Sequence, residues 1–206
     1  MTEAAMKTPA FFDAVPPIQV AEPLAALLGA TEGGRIEYHY LDAVKLAGHS
    51  CPTVAGAWLM TRTALARLYP DETPERGGVR VELRQAIDEG VAGVIASVAG
   101  LITGAANDGG FKGLAGRFGR QGLLRFGVAM AGEIRFTRLD NGSSVELMHS
   151  PQAVPRPTGL ADLMRNALAP QADAATCKAF GEAWQDWVRT ILIEHADDAA
   201  LITVMR

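Results

Sequence analysis

The sequence predicts an α+β fold with a mixed or antiparallel sheet, and three segments carry that prediction. Val91 to Ile102 is apolar on almost every side and rich in Gly and Ala, the pattern of a buried central helix, approached closely by its neighbours and expected to form the core of the fold. Ile134 and Phe136 precede an Asp-Asn-Gly turn at 140–142 and Val145 and Leu147 follow it, so both flanks alternate at the strand period around a strong hairpin signal. Val54, Trp58, Leu65 and Leu68 recur at helical spacing between Pro52 and Pro70, which predicts a long helix with its apolar stripe on the core.

The remaining elements follow in chain order. A proline-marked arm leads to a short helix over 23–28, stopped by Gly29 and the Glu-Gly-Gly turn at 32–34. Ile36 to Tyr40 alternates as a strand, with Ile36, Tyr38 and Tyr40 on one face and Glu37 and His39 on the other. Asp42 reads as the N-cap of a brief helix ended by Gly48. Val79, Val81 and Leu83 alternate with charged residues in a further strand. His149 continues the parity of Val145 and Leu147 and is expected to point into the core. Three prolines in 151–157 mark a wrapping linker. Two helices follow it, the last stacking Phe180, Trp184, Trp187 and Ile191, before a short strand over 201–204. The expected organisation is an N-terminal arm and short helix over 1–34, an α+β core over 35–150, and a helical C-terminal extension over 151–206 packed on the core.

Composition narrows the function classes. With 206 residues, 19 Lys plus Arg, 23 Asp plus Glu and 49% apolar residues, the chain is ordinary globular protein with one main core. A net charge of −4 offers no general attraction to phosphate backbones, so nucleic acid is not an expected partner. The longest apolar run falls short of the ~20 residues that span a bilayer. The first twenty residues lack the basic end and apolar run of a secretory signal, so no membrane association and a cytoplasmic location are expected. Two cysteines without a Cys-X-X-Cys pair cannot build a disulfide framework or an all-cysteine zinc site, so any metal must recruit His or carboxylate.

The chemistry concentrates in Gly48-His49-Ser50-Cys51-Pro52-Thr53. Pro52 opens the long helix and places Cys51 at its N-cap, where unpaired N–H groups and the helix dipole favour thiolate over thiol. In the extended turn before the helix, His49 and Cys51 can face one space. A thiolate with an imidazole suits zinc or a similar divalent transition metal; without metal, the same pair suits a nucleophile and its base, with Cys51 as the candidate catalytic residue. A small buried hydrophobe is the plain alternative for Cys51. Further donors are sought at His39, otherwise an exposed side chain, and at His149, otherwise a hydrogen-bonded core histidine. His195 is expected as a cation near a helix C-terminus, and Asp42 is a carboxylate alternative.

Residues 47–58, Ala-Gly-His-Ser-Cys-Pro-Thr-Val-Ala-Gly-Ala-Trp, resemble the Gly-His-X-Cys-Pro hallmark of the FmdE-like proteins, a family named for an accessory component of formylmethanofuran dehydrogenase. The order of elements from about 35 to 150, including Thr103-Gly104 after the buried helix, is similar as well. The resemblance implies an α+β core, a homodimer and a metal-capable cleft around His49, Cys51 and Pro52. This chain differs from the family pattern in having Ala47 before the Gly-His pair and no cysteine-rich zinc finger near its C-terminus.

A second feature is the loop over 106–120, with glycines at 109, 110, 113, 116 and 119 and cations at Lys112, Arg117 and Arg120. Such loops can turn successive N–H groups toward an anion while the cations supply charge. It matches neither a Walker loop nor a dinucleotide fingerprint, and a tight structural crossover is its alternative. Three functions therefore stand as expectations. One is a metal-binding protein, zinc foremost, with a small anionic ligand held by Lys112, Arg117 and Arg120. The others are a metal-free Cys/His thiol enzyme and a non-catalytic dimeric sensor or assembly module using the helix of Trp184 and Trp187.

Overall fold

A computed structural model describes residues 6–205; the first five residues of the expected N-terminal arm and Arg206 lie outside the described residues. The fold is α+β, with six α-helices and seven strands in two sheets among the described residues. The main sheet runs β4-β3-β5-β6-β7, from β4 (Leu124–Arg125), β3 (Val79–Leu83), β5 (Ile134–Arg138), β6 (Ser144–His149) and β7 (Ile202–Val204). β4 lies parallel to β3 and the other neighbours are antiparallel. The Asp140-Asn141-Gly142 turn joins β5 to β6 as expected, with Gly142 in the left-handed region at φ 74°. One sheet face buries Val79, Val81, Leu83, Ile134, Phe136 and Leu147 beneath α3 (Pro52–Leu68) and α4 (Ala92–Thr103).

The second sheet pairs β1 (Ile18–Ala21) with β2 (Arg35–Tyr38), and α1 (Pro23–Leu27) lies in the chain between them. β1 goes beyond the sequence expectation, although Ile18 and Val20 are buried and Gln19 exposed, the alternation of a strand confined between prolines. β2 is shorter than its hydrophobic pattern. Tyr40 belongs instead to α2 (Tyr40–Ala47), with His39 as N-cap and Asp42 in the first turn accepting from the His39 backbone N–H at 2.9 Å. Tyr40 is therefore a helix-start residue filling the core, where its ring meets Trp58 edge-on at 5.9 Å. Gly48 ends α2 in the left-handed conformation, φ 76°.

Burial also redistributes the helices. α4 is packed on one side but exposes Ser97 and its N-cap Val91, whereas α3 hides Val54, Ala55, Ala57, Trp58, Leu59, Met60 and Ala64 completely or nearly so. The central helix is thus α3. Its outer side is covered by the C-terminal segment, because α6 (Ala174–Arg189) continues through a π-helical turn over Thr190–Glu194 that buries Ile191 and Leu192. β7 then pairs with β6 in the main sheet. α5 (Leu160–Ala167) packs on α6. Among the described residues no helix is long and apolar enough to cross a membrane.

Candidate functional site

The His49-Ser50-Cys51 turn is gripped from two sides. Tyr40 Oη and Ser50 Oγ share a hydrogen bond of 3.0 Å, and burial pushes the Tyr40 phenol well above its ordinary range, so it stays protonated. The Ser50 carbonyl accepts from Trp184 Nε1 at 3.0 Å and from Gln185 Nε2 at 3.1 Å, tying the turn to α6, 134 residues away in sequence. Pro52 fixes the first turn of α3 and Cys51 is its N-cap as expected, its Sγ accepting from Val54 N–H at 3.5 Å.

Cys51 is half-buried in the wall of a cleft of about 670 Å³ between the start of α3, the proline-rich linker and helices α5 and α6. The walls are mainly Pro52, Pro151, Pro157, Leu160, Trp184 and Trp187; polar groups come from Cys51, Thr53, Arg156 and Asp162. Trp184 and Trp187 meet edge-to-face at 5.7 Å, and Trp187 Nε1 donates to Val154 O at 3.3 Å. Both indole donors are therefore committed to carbonyls. The volume falls within the range of small-molecule sites, which are typically apolar with a few placed polar groups.

The expected donors are dispersed. His49 is exposed, its Nδ1 bonded to the Ala47 carbonyl at 2.9 Å, and it is not among the residues lining the cleft. His39 is exposed and pairs with Glu37 at 3.1 Å. His149 points inward as its strand parity predicts, with its imidazole lying on Gly56 of α3. Its Nε2 is buried without a hydrogen-bond partner, and desolvation pushes its pKa down to about 4, so the ring is neutral. Beside it, Glu133 accepts the His149 backbone N–H at 3.2 Å and burial raises its carboxyl above its ordinary value. His195 pairs with Asp198 at 2.9 Å. Among the described residues no three His, Cys, Asp or Glu side chains are gathered as a metal site. The residues in place do not fit a four-donor resident metal: Cys51 and His49 would be two donors where a closed tetrahedral zinc site takes four.

The glycine-rich loop is a structural crossover at its base and an open hairpin at its tip. Arg120, expected to hold an anion, is turned inward. It pairs with buried Glu22 at 2.5 Å and donates to the Arg76 carbonyl, while Arg76 bonds the other Glu22 oxygen at 2.9 Å. One carboxylate thus neutralises a guanidinium that would otherwise be buried alone. Leu114 and Arg117 exchange backbone hydrogen bonds of 2.8 and 3.0 Å around Ala115 and Gly116, and Arg117 stacks over Phe118 at 4.7 Å. Lys112 and Arg117 remain exposed, and neither lines the Cys51 cleft.

The sequence points to Cys51 but not to the cleft's other members. Trp184 and Trp187 read as core packing or a dimer interface and not as a ligand wall, and Arg156 is one cation among linker prolines. The signal that could have marked it is Pro155-Arg156-Pro157, a cation held in a stiff segment ahead of two helices. In comparisons with known proteins, no family model matches the chain and no curated protein matches it.

Proposed function

We propose that this protein binds a small organic ligand in the cleft between the start of α3 and helices α5 and α6, with Cys51 as the group that contacts or reacts with it. The observation that carries this reading is the half-buried Cys51 sulfur in the wall of a 670 Å³ cleft faced by Trp184 and Trp187. An apolar ligand body gains burial there, and the thiol at the helix N-terminus is the only nucleophilic sulfur among the lining residues. Since His49 is not in the lining, the reading is a binding site with a thiol rather than an assembled Cys/His pair. The resemblance of residues 47–58 to the FmdE-like motif is consistent with a functional cleft at this turn.

The test uses a Cys177→Ser chain, in which Cys51 is the remaining thiol. Alkylation by N-benzylmaleimide and by N-methylmaleimide is timed, each relative to N-acetylcysteine. Burying part of one ring is worth about 1.4 kcal/mol, so the benzyl reagent should gain about tenfold on Cys51. Equal ratios for the protein and the free thiol reject the reading. A metal held by Cys51 and His49 is the second reading, favoured by their places on one turn; among the described residues no third His, Cys, Asp or Glu is gathered with them.

A further inference from the structure

The cleft's polar groups do not balance. Asp162 is paired with Arg165 at 2.9 Å, so its charge is already answered. Arg156 forms no ion pair among the described residues; its guanidinium lies over the Trp187 ring at 5.4 Å from the centroid. Trp184 and Trp187 have spent their N–H groups on Ser50 and Val154 and offer only ring surface. What remains is an aromatic corner, the half-buried Trp184 ring set at 83° to the nearly buried Trp187 ring, with one cation at its edge and a thiol in the same lining. A planar guanidinium matches a carboxylate in two parallel hydrogen bonds, and a mostly apolar wall favours a singly charged group over a dianionic phosphate, whose desolvation is costlier.

We propose that the ligand is an aromatic carboxylate, with its ring against Trp184 and Trp187 and its carboxylate on Arg156. This rests on the cleft reading above and relocates the anion site from Lys112, Arg117 and Arg120 to the linker. Arg156 here is a binding residue whose loss should weaken carboxylates and spare neutral aromatics.

Two aromatic disulfides serve as probes on the Cys177→Ser chain: 5,5′-dithiobis(2-nitrobenzoate), which carries carboxylates, and neutral 4,4′-dithiodipyridine. In each, the Cys51 thiolate attacks one sulfur, the S–S bond breaks, a mixed disulfide forms and the arylthiolate leaves with the electron pair. Rates are taken relative to N-acetylcysteine. The expected result is that both reagents are accelerated and the carboxylated one by about fivefold more, the size of an exposed charge pair. Arg156→Gln should erase that margin without slowing dithiodipyridine, and phenylacetate should protect Cys51 at about fivefold lower concentration than phenylacetamide. Acceleration of both reagents with no carboxylate margin, or a margin that survives Arg156→Gln, overturns the aromatic-carboxylate proposal and leaves the cleft standing. Acceleration of neither overturns both.

Discussion

Gly56 offers the sharpest test of the packing beneath the cleft. It lies one turn along α3 from Pro52 and Thr53, and a methyl placed on it would fall inside the His149 imidazole, 2.6 Å from Nε2 and nearer still to Cε1 and Nδ1. In a helix interior, Gly→Ala by itself is favourable by about 1 kcal/mol. Forcing the ring out of a packed site costs about 3 kcal/mol, the upper end for overpacking because the overlap is with a ring rather than a flexible chain end. The net expectation for Gly56→Ala is a loss of about 2 kcal/mol, or a melting temperature lower by about 4–8 °C for a chain of this size. In a His149→Ala background the obstacle is gone, and the same substitution should stabilise by about 1 kcal/mol, a coupling of about 3 kcal/mol. Urea unfolding followed by circular dichroism at pH 8, where His149 is neutral folded or unfolded, measures all four corners of the cycle. A stabilising Gly56→Ala in the parent chain, or a cost unchanged without His149, would refute the contact and the burial of Nε2 that depends on it.

His149 also sets a pH dependence. Its folded pKa of about 4 lies below the ordinary 6.5, so as pH falls the unfolded chain takes up a proton that the folded chain refuses. Stability is full above 6.5 and is lost between 6.5 and about 4, by about 3 kcal/mol. Glu133, raised by burial, acts in the opposite direction, so the measurement is the difference between wild type and His149→Gln, whose unfolding free energy should lack this slope. At the loop clasp, Glu22→Gln leaves two guanidiniums uncompensated and should cost about 3–5 kcal/mol, whereas Arg120→Met leaves Glu22 paired with Arg76 and should cost less; denaturant midpoints give the order. Elemental analysis of purified protein should show no stoichiometric transition metal, and zinc near one per chain that disappears in Cys51→Ala would favour the metal reading instead.

Much of the fold is legible in the sequence because local chemistry and tertiary packing agree. Asp140-Asn141-Gly142 forms the hairpin that its dihedral needs dictate, and Pro52 starts α3 with Cys51 as cap. Tyr40 misleads because a strand's alternation and the first buried position of a helix look alike over one residue. α4 reads as the centre because composition reports apolarity but not what lies on top. α3 is more buried because α6 and its π-turn, more than a hundred residues later, close over it. Arg120 shows the same blindness for charge. Among glycines it resembles an anion-binding cation, and only the fold brings Glu22, 98 residues away, onto it.

The candidate site has the same dependence on distant chain. A thiol at a helix start is a local fact, readable from Cys51-Pro52; a cavity beside it is not, since its opposite walls come from 151–164 and 184–187. The Ser50 carbonyl joins the two, because it takes hydrogen bonds from both Trp184 and Gln185. Each of those bonds is worth about 1 kcal/mol, so α6 is fastened to the residue preceding the sulfur as well as packed against the core. A ligand that wedges between Trp184 and the start of α3 must work against that fastening, whereas one that lies on the accessible part of the Trp184 ring leaves it intact. With both N–H groups turned to the backbone, the half-buried Trp184 ring, against which Trp187 lies edge-to-face and nearly buried, is the surface left for a ligand of the second kind.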